Sequence, residues 1–128
     1  MDATSSPGEL AKAWIAYWQH QLETDEYGKT DASFEVDRLA REEPETAWPV
    51  ILTILQSIDA VPSSRLFQVL AAGPLEDLLS EHGEAFIARI EAQAQRDPKL
   101  KLLLGGVWQN EMNDHLWARV RACRTEAW

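Results

Sequence analysis

Proline and glycine punctuate this chain so regularly that no amphipathic stripe runs much beyond about fifteen residues. Pro7, Pro49, Pro74 and Pro98 fall where a first helical turn would tolerate a missing N–H, and Gly28, Gly73, Gly83 and the pair Gly105-Gly106 fall where a helix would end. Between these points apolar residues recur every three or four positions, the spacing of a helix with one buried face. Ser6-Pro7-Gly8-Glu9 has the form of a capping box, and the helix it opens runs to about Leu22 with Leu10, Trp14, Ile15, Tyr17 and Trp18 on its apolar face. A weaker helix over about 32–41, with Phe34, Val36, Leu39 and Ala40, reads as a surface element. A strongly apolar one over about 46–58, with Trp48, Ile51, Leu52, Leu55 and Ile58, reads as the central helix.

The stretch "LAAGPLEDLLSEHG", residues 70–83, concentrates this punctuation. Gly73 suits the left-handed position that closes a helix over about 64–72, and Pro74 opens a short successor with Glu76 and Asp77 in its first turn, where the helix dipole favours acid. Gly83 then ends that successor after His82. Further helices are predicted over about 84–95, from Pro98 after the cap Asp97, and over about 113–124. No alternating run and no Asn-Gly or Asp-Gly hairpin signal occurs. The expected fold is all-α: a single domain of about seven or eight short helices in an irregular HEAT-like or orthogonal array, with acidic N-terminal helices over 1–45 and the helical core over 46–128.

At 128 residues the chain is the size of one domain, and 45% apolar against 26% charged residues excludes the composition of a disordered segment. The one cysteine, Cys123, and the lack of a basic and apolar leader point to a reducing cytoplasm. "VILTIL" is far shorter than the roughly 20 residues a membrane helix needs. The net charge of −9 is lopsided: residues 1–64 carry 12 acids and 4 bases, residues 65–128 carry 9 and 8. Such a surface repels phosphate backbones, so direct nucleic-acid binding is not expected. Arg119, Arg121 and Arg124 read as cations complementing a helix C-terminus.

In "WPVILTIL", "AAGPLEDLLSEHG", "RDP", "LLLGGVWQ" and "LWARV" the chain resembles a family of small bacterial domains of unknown function that share the AGPLEDLL and LGGVW blocks, a likeness covering about residues 46–121. The resemblance implies no activity and carries no catalytic residue.

No metal or cofactor motif is present. His20, His82 and His115 lack zinc-site spacing, Cys123 lies among apolar positions, and "GGVWQN" lacks the spacing and lysine of a phosphate loop. Neighbours on a helix point about 100° apart, which argues against Glu76 and Asp77 as a catalytic pair. The segment 105–117 is the strongest binding candidate: Trp108, Gln109, Asn110, Glu111, Asp114 and Trp117 supply aromatic and polar side chains beside Glu76 and Asp77, although caps and core tryptophans account for the same residues. At least one of Trp14, Trp18 and Trp128 should be exposed, Trp128 having the weakest claim on a core. The leading expectation is a non-enzymatic interaction module of a bacterial cytoplasm, of inhibitor, immunity or antitoxin type, with Glu42, Glu43 and Glu45 facing a basic partner surface. The alternative is a small-ligand binder or acid–base enzyme with Glu76, Glu111, Asp114 and His115 around a pocket between the GPLED corner and the VWQNEMND loop.

Overall fold

The computed structural model describes residues 6–24 and 31–128. The break expected around Gly28 lies outside these, as do the side chains of Leu22 and Phe34. The described residues are helical without strands: α1 (Pro7–Thr24), α2 (Asp31–Glu42), α3 (Pro44–Ser57), α4 (Arg65–Leu70), α5 (Glu76–Arg96), α6 (Pro98–Leu103) and α7 (Asp114–Ala122). A π-helical turn, Ala71–Leu75, joins α4 to α5 without a break, and a 3₁₀ turn, Leu104–Gly106, follows α6. The described part therefore holds six helical rods, slightly fewer than the seven or eight expected.

Several helix starts form as the side-chain chemistry dictates. Ser6 and Glu9 complete the capping box reciprocally, at 3.2 and 3.1 Å. Ser64, Asp97 and Asn113 accept from backbone N–H groups of α4, α6 and α7. Helix α3 begins two residues earlier than its apolar stripe suggested, with Pro44 in the first turn, so Pro49 stands inside the helix on an exposed face.

The central stretch behaves differently. Gly73 takes no left-handed conformation, and the chain does not stop there. A proline inside an α-helix removes one hydrogen bond and crowds the preceding turn; widening that turn to π geometry accommodates Pro74 while the rod continues. The break expected at Gly83 appears as a kink one residue earlier: His82 is non-helical (φ −134°, ψ 18°), so α5 is two helical segments meeting there, the second running on to Arg96. A Cβ on Gly83 would sit 2.3 Å from a methyl of Leu116, so this glycine allows α7 to cross α5 at close range.

Helix α1 packs against α2 and α3, α2 also meets α5, and α3 also meets α6, which ties non-consecutive helices into one array. Trp14, Ile51, Ile54, Phe67, Leu78 and Phe86 are among the fully buried side chains at its centre. Helix α2 is less peripheral than its sparse apolar pattern implied, since Val36, Leu39 and Ala40 are all buried. None of the described helices is long and apolar enough to cross a membrane.

Candidate functional site

The GPLED corner and the loop after the 3₁₀ turn do meet, and Glu76 is the link. Standing at the start of α5, its carboxylate accepts the Trp108 backbone N–H at 2.8 Å and the Asn110 side-chain amide. Asn110 has φ 43°, a left-handed conformation that asparagine tolerates better than most residues. The loop is tied down twice more. Gln109 donates from its side chain to the Met112 carbonyl (3.0 Å) and to Asp114 (2.9 Å), and Met112 is buried. Asn113 both caps α7 and donates to Glu84 at 3.0 Å.

Asp77 points elsewhere. It pairs with Arg41 of α2 at 3.3 Å, as the angular offset between helix neighbours required. Burial pushes its carboxyl above the usual range, with Arg41 opposing. The expected dipole role of Glu76 and Asp77 is thus replaced by tertiary contacts, because the helix they open continues an existing rod and has no free N-terminus.

The tryptophans sort sharply. Trp108 is 72% exposed, so it is no core anchor; Trp117 is half-buried, with the Arg124 guanidinium 5.0 Å from its ring centre. Trp128 is 36% exposed, which meets the expectation of one exposed ring among Trp14, Trp18 and Trp128. Yet it is firmly docked: it stacks on Phe67 at 5.3 Å, its indole N–H donates to the Leu102 carbonyl at 2.7 Å and its backbone N–H to the Gly105 carbonyl at 3.0 Å. The glycine pair is its seat. A Cβ on Gly106 would lie 2.5 Å from the Trp128 ring, and one on Gly105 would lie 2.6 Å from the Glu126 carbonyl oxygen. Trp108, Trp117 and Trp128, with Val107 and Arg124, line a shallow, mainly apolar groove of about 320 Å³.

The remaining candidates do not join it as a catalytic group. Glu111, Asp114 and His115 are exposed, and among the described residues no hydrogen bond or ion pair connects them to Glu76. Glu111 instead borders a separate depression of about 260 Å³ beside His82 and Glu84. Among the described residues no three His, Cys, Asp or Glu side chains converge as a metal site. Cys123 is half-buried, and burial raises its thiol pKa, which keeps it a weak nucleophile.

The acids at the α2–α3 corner are exposed but engaged. Glu45 receives two hydrogen bonds from Arg89 (2.7 and 2.6 Å), which hold its pKa below the usual carboxylate range, while Glu42 and Glu43 lie at 3.8 and 3.3 Å from Arg38. Arg119 is likewise committed to Glu91. Sequence reasoning missed the contributions of Trp128, Gly105-Gly106 and Asp37. The last is an α2 residue with a buried, unpartnered carboxyl oxygen, its pKa raised to about 6 by burial, with the nearby Asp77 adding to the effect.

The fold and groove define a small all-α domain with an aromatic surface recess. The chain belongs to DUF6869, a family of unknown function, whose model matches residues 19–128 and so reaches into the acidic α1–α2 region beyond the block over which the resemblance was read. No curated protein and no solved structure matches it.

Proposed function

We propose that the protein is a non-enzymatic interaction module that engages a partner protein through the Trp108 groove. The observation that carries this reading is the contrast at Trp108: the ring is 72% exposed while its backbone is held by Glu76. A large aromatic kept in water on a backbone already held in place loses less order on association, and tryptophan is enriched among residues that dominate interface energetics. The net charge of −9 acts at longer range and supports a partner whose overall surface is basic. Because Glu42, Glu43 and Glu45 are already engaged by Arg38 and Arg89, they contribute less to that attraction than their formal charge suggests. A bacterial cytoplasm suits a domain of this composition with one cysteine.

The test is affinity capture from the source cells with the wild-type chain and with Trp108→Ala as baits. A stoichiometric partner should be held by the first and lost by the second. Equal capture by both would move the interface away from this loop, and absence of any partner would count against the interaction role.

A further inference from the structure

We propose that the groove between Trp108, Trp117 and Trp128 receives a short peptide segment of the partner in which an apolar side chain lies close to a carboxylate, and that Arg124 accepts the carboxylate. The inference rests on the interaction reading and names the chemistry of what is bound.

Three features select this occupant. The groove, at about 320 Å³, is sized for one or two side chains and not for the face of a folded domain. Its walls are indole rings and Val107, which favour an apolar insert whose burial removes both surfaces from water. Its one lining cation is Arg124, which lies over the Trp117 ring and, among the described residues, has no carboxylate partner within the protein. An arginine whose guanidinium lies by an indole face keeps N–H groups available to a planar carboxylate.

The walls are also built before binding. Glu76 fixes the Trp108 backbone, and Trp128 is held by Phe67, Leu102 and Gly105. In an otherwise acidic protein, a cation set in the wall of an apolar recess rejects basic segments locally and orients acidic ones.

The experiment is selection of a phage-displayed library of random dodecapeptides on the wild-type chain, followed by anisotropy titration of the enriched peptide after labelling. Enriched sequences should place Asp or Glu within a few residues of a Leu, Phe, Trp or Met. Trp108→Ala should weaken the enriched peptide about tenfold or more, as loss of a central aromatic contact does. Arg124→Gln should weaken it about fivefold, and changing the peptide's carboxylate to its amide should cost about fivefold on the wild type and nothing on Arg124→Gln. Melting curves check that both variants remain folded. Enrichment of basic or uncharged peptides, no enrichment at all, or equal losses on both proteins when the carboxylate is removed would overturn the proposal. So would a Trp108-dependent dimer in sedimentation, which would make a second copy of the chain the occupant. If cell-derived partner is lost with Trp108→Ala yet the Arg124 coupling is absent, this inference fails while the interaction role stands; if neither partner nor peptide binds, both fail.

Discussion

Trp14 and Trp108 are the same residue type placed under opposite conditions. Trp14 in α1 is completely buried, and among the described residues its indole N–H finds no hydrogen-bond acceptor, so what it contributes is packing. Trp108 is largely in water while its backbone N–H is held by a carboxylate from a distant helix. The first region, α1 to α3, keeps its tryptophans for the core and pairs its surface acids with arginine. The second, from the π turn to residue 128, spends glycines on close approach and carries an aromatic face outward. Both regions build the core, and only the second also carries the features that suit recognition.

Substitutions that divide along this line sharpen the contrast. The largest effect belongs to Trp14→Ala, expected to destabilise the fold by about 3–5 kcal/mol in chemical denaturation, because a cavity opens among residues that cannot collapse onto it. A loss below about 1 kcal/mol would contradict a core role for Trp14. Next is Gly106→Val, which drives a side chain into the Trp128 ring and should cost about 1–3 kcal/mol and loosen the groove wall, followed by the near-ultraviolet circular dichroism of the indoles.

Asp37 gives a smaller effect of opposite sign. Its folded pKa of about 6 lies above the ordinary value of 3.8, so its contribution favours folding below pH 3.8 and is lost as the pH rises through 6. Asp37→Asn should therefore be more stable than the wild type by about 1 kcal/mol at pH 8, allowing for solvent screening of this partly exposed group, and the advantage should vanish near pH 4. A pH-independent difference would contradict the burial effect. Smallest of all is Trp108→Ala, expected to stay within about 0.5 kcal/mol of the wild type in stability. Should it unfold the chain, Trp108 would belong with Trp14, and the division between the two regions would collapse.

The helical class was legible from spacing alone, since three- and four-residue periodicity and capping chemistry act within a few residues of one another. Gly106 does close the α6 segment and Gly83 does stand at a kink, as read, while the close approach of Leu116 and Trp128 to these glycines came from far along the chain and left no local signal. Pro74 was read as a helix start, but packing held the rod together through a widened turn. The candidate segment 105–117 was legible as a polar loop bracketed by tryptophans beside the GPLED corner. Which of its tryptophans faces water was not, because indole rings serve cores and surfaces equally well.

Local chemistry by itself determined the helices, most of their caps and the divergence of Glu76 from Asp77, all of which depend on neighbours within a turn or two. Only the tertiary structure decided that Glu76 would brace the Trp108 loop, that Trp128 would sit on a glycine pair, and that Arg124 would line a groove with Trp108 and Trp128. Those outcomes depend on which surfaces meet across many tens of residues, and hydrophobic burial, being non-directional, writes no local signal of its partners.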